Sequence, residues 1–350
     1  MAKRGMTAAL AVAGLGVLTA CNSSNNNVSL SGAGSTFVNP AMSRWTHDYT
    51  QAHPNVQINY QSIGSGGGIQ QVKAKTVDFG ASDVALKDAQ LTGMEPVVQI
   101  PETAGPVCIT YNLPGLSSPL RLSADEVADI FLGKIKTWSD PALAKDNPGV
   151  KLPKLGVFVA HRSDGSGTTG IFTEYLSAVS PEWSQKVGSG TAVSWPTGVG
   201  GKGNEGVTGD IRQTAGAIGY VELAYAQENN LPTAAIQNQA GQYVQPTAAG
   251  TTADIAAFSA QLAQDPRKPI VNPPASAADA YPISGLTFLI IPKDGPDKAK
   301  RQALKQFVQY IITDGQATAG ALNYAPLPDG VKQFDQQQLQ QLTGDGQPLS

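Results

Sequence analysis

The chain has 350 residues, of which 41% are hydrophobic, with 24 Lys and Arg against 27 Asp and Glu. This composition excludes a wholly disordered chain, and the sequence has no Lys/Arg-rich run of the kind that nucleic-acid binding requires. Three His and two Cys are too few for the usual Cys/His zinc sites, so neither a metal nor another cofactor is expected, and the length predicts two domains or lobes.

The first 20 residues have the pattern of an export signal. Lys3 and Arg4 precede an apolar run from Met6 to Ala20, which is too short to span a bilayer comfortably. The run ends in Leu-Thr-Ala-Cys, which resembles the bacterial lipobox, in which the Cys carries the lipid. We therefore predict a lipoprotein signal peptide over residues 1–20, with Cys21 as the lipidation site. An ordinary signal peptide with a Cys by chance is the alternative.

A polar, Asn-rich segment follows Cys21 and predicts an unstructured tether over residues 21–28. The mature protein is then exported and held by a lipid anchor on the outer face of the cell membrane or in the periplasm. The second Cys, Cys108, lies in an apolar run and is expected to be a small buried core residue.

Strand-like and helix-like segments alternate along the rest of the chain, which favours α/β layers. Strands are predicted near Leu30 and at residues 56–60, 97–100, 107–111, 156–160, 217–221 and 286–291. Helices are predicted at residues 40–51, 69–75, 124–131, 169–176, 252–265 and 298–313. The Gln-rich tail from residue 333 predicts a surface helix that ends in a frayed terminus.

Two extended segments, 108–111 and 281–291, are the strongest candidates for strands that cross between lobes. If they do, the first lobe contains both ends of the chain. The predicted division is then residues 29–110 and 281–350 for lobe 1, and residues 111–280 for lobe 2.

Two Gly-rich junctions between a strand and a helix predict binding of an anion. In the first, Ser-Gly-Ala-Gly-Ser-Thr-Phe ends at Thr36 and Phe37, and Pro40 falls in the first turn of the helix. In the second, Ser65 precedes three consecutive Gly residues that allow a close approach of the backbone to a ligand. Helix capping by Thr36 or Ser65 is the structural alternative at each junction.

Two further segments supply charged groups. Asp83 follows a short apolar strand, where Asp is more often a cap or turn residue. Residues 161–170 combine Arg162 with Asp164, Ser166, Gly167 and Thr168 before a helix. The planar guanidinium matches a tetrahedral oxyanion, and Asp164 is placed to hold it in position. Four such segments in one chain favour an anion site over four unrelated helix caps.

A carboxylate beside an anion is repulsive unless the anion donates a proton to it. If Asp83 lines the site, the ligand is a protonated oxyanion such as hydrogen phosphate or arsenate. Sulfate, which is fully ionised at neutral pH, would leave two acceptors in contact with no hydrogen between them.

In this order the segments resemble those of the phosphate-binding proteins of bacterial phosphate-specific ABC transporters. The resemblance runs from about residue 30 to 330 and includes seven stretches of sequence: residues 32–37, 64–67, 76–83, 132–138, 162–168, 195–204 and 216–222. It implies an α/β two-lobe periplasmic binding protein fold of type II, with a cleft between lobes that two crossover strands join. It also implies a monomer that binds inorganic phosphate and delivers it to the transmembrane subunits of an ABC permease.

The resemblance further implies which residues contact phosphate. They are Thr36, the backbone of Phe37, Ser65, Asp83, Arg162, Ser166, Gly167 and Thr168, with Asp164 orienting Arg162. Ser35 and Ser163 stand where the family commonly has Ala, and we expect their hydroxyls to change affinity modestly.

Two other functions were weighed against binding. A hydrolase would need a Ser, His and Asp that converge, but the sequence has no G-x-S-x-G motif, and only His161 lies beside a candidate segment. A surface scaffold would show no closure that depends on an anion. The sequence therefore predicts a binding protein rather than an enzyme.

Overall fold

The computed structural model describes residues 1–2, 27–116 and 119–350. The predicted signal peptide, most of the tether and Cys21 lie outside the described residues. The strands are β1 (Val28–Gly34), β2 (Val56–Ser62), β3 (Phe79–Ser82), β4 (Val97–Tyr111), β5 (Arg121–Leu122), β6 (Phe158–Arg162), β7 (Val199–Gly201), β8 (Ala217–Glu222), β9 (Ala235–Gln237), β10 (Tyr243–Val244), β11 (Ser284–Pro292), β12 (Thr343–Gly344) and β13 (Gln347–Pro348).

Helices alternate with these strands. They are α1 (Asn39–Ala52), α2 (Ser65–Lys73), α3 (Asp88–Leu91), α4 (Ala124–Phe131), α5 (Pro141–Asp146), α6 (Gly167–Val179), α7 (Pro181–Lys186), α8 (Gly203–Gln213), α9 (Leu223–Glu228), α10 (Ala248–Ala257), α11 (Ser259–Gln264), α12 (Lys298–Ile312), α13 (Gly315–Ala321) and α14 (Asp329–Leu339). The predicted α/β class is confirmed.

Eight strands form one sheet in the order β2-β1-β3-β11-β4-β8-β6-β7. The long strand β4 belongs to two parts of this sheet. Its first portion pairs antiparallel with β11, and residues Val107 to Tyr111 pair antiparallel with β8. We call β2, β1, β3, β11 and the first portion of β4 the first half-sheet, and the remainder the second half-sheet.

The prediction of separate strands at 97–100 and 107–111 is wrong, because β4 runs through both without a break. Pro101 and Pro106 suggested an interruption, since proline lacks the N–H that a ladder needs. The strand accommodates Pro101 beside a shift of register between Thr287 and Phe288 of β11, which leaves Glu102 as the extra residue.

The second Gly-rich segment is helical rather than a loop. The helix α2 begins at Ser65, and its N-cap is Gly64, so Ser65 does not cap it. A Cβ atom at Gly68 would lie 2.5 Å from the carbonyl oxygen of Ala33 and from the Cα of Gly34. The glycines therefore allow α2 to pack directly on the backbone of β1.

Two details near the C-terminus also differ from prediction. Residues 252–265 form parts of two helices, α10 and α11, which meet at Phe258. The tail after α14 is a short hairpin of β12 and β13, and it is anchored where the backbone N–H of Thr343 donates to the carbonyl of Lys293 at 2.8 Å. Backbone pairing therefore replaces the expected frayed end.

Buried aromatic side chains fill the space between the sheet and its helices. Trp45, Trp138 and Trp183 are fully buried. Cys108 is buried as predicted, and its thiol donates to the carbonyl of Val221. Among the described residues, no helix is both long enough and apolar enough to cross a bilayer.

Candidate functional site

Five strand-to-helix or strand-to-loop junctions meet between the two half-sheets. Three of them contribute the N-terminal ends of α1, α2 and α6, a fourth follows β3, and the fifth lies between β7 and α8. Unpaired N–H groups and the positive end of the helix dipole make such positions favourable for anions. The predicted site residues of all four Gly- or charge-bearing segments are brought together here.

Asp83 lies at the centre of this cluster and is 3% exposed. Its carboxylate accepts hydrogen bonds from four hydroxyl groups: those of Ser35 and Thr287 (3.3 Å) at Oδ1, and those of Thr168 (3.4 Å) and Ser65 (3.5 Å) at Oδ2. Burial raises the pKa of Asp83 to about 6, against the opposing effects of these hydrogen bonds and the charge of Arg162. Asp83 is therefore a buried acceptor and not the cap or turn residue that its sequence position more often indicates.

Arg162 and Asp164 form a bidentate ion pair. The guanidinium donates from Nε to Oδ1 at 2.8 Å and from Nη2 to Oδ2 at 2.6 Å. Asp164 also accepts from the backbone N–H of Gly203 at 3.0 Å. Burial opposes ionisation of Asp164, but its hydrogen bonds to Arg162 and the charge of that residue outweigh burial and lower its pKa. This pair fixes the guanidinium so that Nη1 is directed to the hydroxyl of Thr168, at 3.4 Å.

The N-terminus of α6 brings three predicted residues to the cluster. Ser166 is the N-cap, and its hydroxyl accepts from the backbone N–H of Thr169 at 3.0 Å. The N–H of Gly167 donates to the hydroxyl of Ser65 at 3.1 Å, and Thr168 is fully buried. The predicted structural role of a helix cap is therefore filled by Ser166, while the residues after it face the other half-sheet.

Thr36 and Phe37 lie just before α1, whose N-cap is Val38. The Thr36 hydroxyl accepts from the side-chain amide of Asn204 at 2.8 Å. The backbone carbonyl of Thr36 accepts from the hydroxyl of Tyr225 at 2.6 Å. Thr36 therefore does not cap α1 and instead contacts residues that follow β7 and β8.

Contacts between the two half-sheets are close at the backbone level. The N–H of Gly66 donates to the carbonyl of Gly165 at 2.8 Å. A Cβ atom at Gly167 would lie 2.5 Å from Ser65 Oγ and 2.6 Å from the backbone nitrogen of Asp83. Glycine at these positions allows the junctions to meet with no side chain between them.

His161 is at the end of β6 but takes no part in the cluster. Its ring stacks on Trp195 with centroids 4.8 Å apart, and its Nδ1 lies 3.1 Å from the carbonyl oxygen of Arg162. Burial lowers its pKa. The exposed Ser163 likewise has no side-chain role in the cluster.

Three residues of the cluster were missed as site residues in the sequence. The sequence predicts only a modest effect of Ser35 on affinity, yet Ser35 is fully buried and its hydroxyl donates to Asp83. Asn204 follows a further Gly-rich strand-to-helix junction, which is the same signal as the other segments. Thr287 lies inside the apolar strand β11, where the sequence offers no signal.

The cluster combines many donors with one acceptor that faces them. Within the described residues, no group of three or more His, Cys, Asp or Glu side chains is arranged to hold a metal ion. The donors include the guanidinium of Arg162, the backbone N–H of Thr168 in the first turn of α6 and the surrounding hydroxyls. Such a set suits a small oxyanion that carries a proton for Asp83.

The sequence of the chain is similar to those of known binding proteins. A PBP superfamily domain matches residues 21–315, so the chain is a member of that superfamily. It is 48% identical to the phosphate-binding protein PstS of Xylella fastidiosa over 311 residues, which cover 88% of this chain and 84% of that one. It is 44% identical to PstS of Pasteurella multocida over 310 residues, with 88% and 89% coverage. The chain belongs to the PstS family of phosphate-binding proteins.

The fold of the chain is similar to that of solved periplasmic binding proteins. The structure of a high-affinity periplasmic phosphate-binding protein, PfluDING, bound with phosphate aligns with a TM-score of 0.69 and 22% sequence identity. The alignment covers 87% of this chain and 92% of that one. The predicted two-lobe periplasmic binding protein fold is confirmed.

Proposed function

We propose that this protein binds inorganic phosphate in the cluster around Asp83 and delivers it to the permease of an ABC transporter. The observation that carries the proposal is the buried carboxylate of Asp83 beside the fixed guanidinium of Arg162. Membership of the PstS family supports the same substrate. The protein is a binding component and not an enzyme, as its sequence predicts.

The proposed contacts divide into donors and one acceptor. Donors to the phosphate oxygens are Arg162, the hydroxyls of Thr36 and Ser166, and the backbone N–H groups of Phe37 and Thr168. The hydroxyls of Ser65 and Thr168 and the N–H of Gly167, which bond within the cluster in this structure, turn to the phosphate when it binds. Asp83 accepts the hydrogen of hydrogen phosphate, and Asp164 orients Arg162. Each contact gains strength when water is excluded, because the effective dielectric constant falls.

The topology supports closure of two lobes around the ligand. We assign residues 29–110 and 281–350 to lobe 1 and residues 111–280 to lobe 2. The chain crosses between them at the end of β4 and just before β11, where the N–H of Val107 donates to the carbonyl of Ile283 at 2.8 Å. Asp83 and Ser65 come from lobe 1, whereas Arg162 and α6 come from lobe 2, so phosphate bridges both.

The remaining partners are proposed from the sequence. The exported chain is a monomer held by lipid on Cys21, at the outer face of the cell membrane or in the periplasm. The closed arrangement of the lobes is the form that the transmembrane subunits of the permease recognise.

Replacement of Asp83 by Asn tests the role of the proton. Wild-type protein is expected to bind phosphate one to one in calorimetry at neutral pH, with sulfate at least roughly thirtyfold weaker, because an unmet contact between acceptors costs about 2 kcal/mol or more. D83N is expected to reduce the ratio of phosphate affinity to sulfate affinity, since the Asn amide can donate a hydrogen bond to sulfate. The exposed Asp88→Asn is the control. An unchanged ratio in D83N would contradict the role assigned to the proton.

Removal of the guanidinium is expected to weaken phosphate binding strongly. Arg162→Ala deletes a charge-assisted donor, which corresponds to about 2–3 kcal/mol, or roughly 30- to 150-fold in Kd. Arg212→Ala, at an exposed position on α8, is the matched control and is expected to bind like the wild type. Equal Kd values for the two variants would remove Arg162 from the site.

A single methyl group at the contact between the lobes is expected to hinder closure. Gly167→Ala places its Cβ against Ser65 and Asp83, so phosphate affinity should fall at least tenfold while the melting temperature without phosphate changes little. Gly209→Ala is the control, because a Cβ there meets no atom within 4 Å. Scattering at saturating phosphate should show a more open shape for G167A, and a wild-type shape would count against this closure.

The lipid anchor is tested by replacing each Cys in turn. Cys21→Ser is expected to move the protein from the detergent-soluble membrane fraction to the aqueous fraction, because the acyl attachment is lost. Cys108→Ser, at the buried Cys, should leave it with the membranes. Release of the wild type and C21S alike into the aqueous fraction would favour an ordinary signal peptide with a Cys by chance, because no acyl chain would then hold either protein.

A further inference from the structure

Glu102 is a fully buried carboxyl group directly behind Asp83. It is the extra residue of β4 at the register shift opposite Thr287 and Phe288. Its Oε1 lies 3.1 Å from the hydroxyl of Thr287, which is itself 3.3 Å from Oδ1 of Asp83. Oε2 has no hydrogen-bond partner among the described residues. One threonine hydroxyl thus joins two buried carboxyl groups.

The hydroxyl of Thr287 has a single hydrogen and cannot donate to both carboxylates at once. If both acids were ionised, one of them would face a lone pair of Thr287 in a buried environment, which is costly. If Glu102 is protonated, its O–H donates to Thr287, and Thr287 donates to Asp83. Every hydrogen then has an acceptor, and Asp83 stays ionised.

The surroundings of Glu102 favour its protonated form. Burial raises the pKa of Glu102 to about 8; the hydrogen bond with Thr287 opposes this rise, and the negative charge of Asp83, across β11, adds to it. Burial, and then the negative charges of Glu102 and Asp83, raise the pKa of Tyr60 on β2. From α13, the neutral amide of Gln316 donates to the backbone carbonyl of Glu102 at 2.8 Å.

No cation offsets the charge of Glu102. The ion pairs of the described chain include none at this residue, and Arg162 acts on Asp83 from the far side of the cluster. The other elements packed against β4, which are β8, α6, α8, α9, α10, α12 and α14, form no hydrogen bond or ion pair with its carboxyl group in the described part of the chain.

We propose that protonated Glu102 is a positioning residue that acts through Thr287 to hold Asp83 as the acceptor of the phosphate proton, and that ionisation of Glu102 weakens phosphate binding. The inference rests on the proposed function. Ionisation sends the Glu102 proton to solvent, turns the Thr287 hydroxyl away from Asp83 and adds a second negative charge beside the ligand. Affinity is therefore retained below the pKa of Glu102 and lost as the pH rises through it.

Calorimetry of the full-length chain with inorganic phosphate at pH 7 and pH 9 tests the proposal. Wild-type protein is expected to lose about tenfold more affinity over this interval than Glu102→Gln, since pH 9 lies one unit above a pKa near 8. The Gln amide donates to Thr287 without titrating. Ionisation of phosphate itself affects both proteins equally and cancels in the ratio.

Asp335→Asn is the matched control, because Asp335 is another buried acid whose carboxyl oxygens have no partner among the described residues. It should follow the wild-type pH profile. Thr287→Val removes the connecting hydroxyl and should lower affinity at pH 7 at least threefold, whereas Thr287→Ser should restore it. If T287V does not fold, the comparison of E102Q with wild type decides.

The two proposals fail differently. A wild-type protein that binds phosphate at pH 7, with an E102Q variant of the same pH profile, would overturn the role of Glu102 and leave the proposed function intact. A wild-type protein that binds no phosphate at pH 7 would overturn the proposed function itself.

Discussion

The ionised carboxylate of Asp83 is buried, where a charge is unfavourable. The rest of the site depends on the hydrogen bonds that stabilise this charge. Hydroxyls of Ser35 and Thr287 reach one oxygen, and Thr168 reaches the other from the opposite half-sheet. Without these donors, desolvation would favour the neutral acid, which is a weaker acceptor of a hydrogen bond from a ligand. The same hydroxyls therefore stabilise the charge of Asp83 and keep it a strong acceptor.

Glycine residues also shape the site in a way that is independent of charge, because they allow backbone segments to approach closely. At Gly68 it allows α2 to lie on the backbone of β1, and at Gly167 it allows α6 to reach Ser65 and Asp83. At both contacts, the space beside the glycine is too narrow for a further side chain. The hydrogen bonds to Asp83 therefore depend on this close packing of the backbone, because the donors reach the carboxylate only when the helices approach this closely.

Much of the fold was predictable, since periodicity identified the strands and helices that hold the site. The boundaries of α4 and α12 were nearly correct. Residues that form the segments before α1, α2 and α6 were recognised because Gly, Ser, Thr and Arg stand out at junctions. Thr287 and Glu102 were not recognised, because each lies within an extended run and comes close to Asp83 only through the pairing of strands in the sheet. The continuity of β4 across two prolines depends on a register shift that no local pattern reveals.

The first and last strands of the described chain lie in the same half of the molecule. Val28 opens β1, and the closing hairpin is attached beside the end of β11 and packs on α12. A mechanical load applied through either end is therefore borne by one half alone. In the lobe movement that we propose, a molecule fixed to a surface through its N-terminal or C-terminal segment keeps its other half free to move, so attachment and opening do not compete.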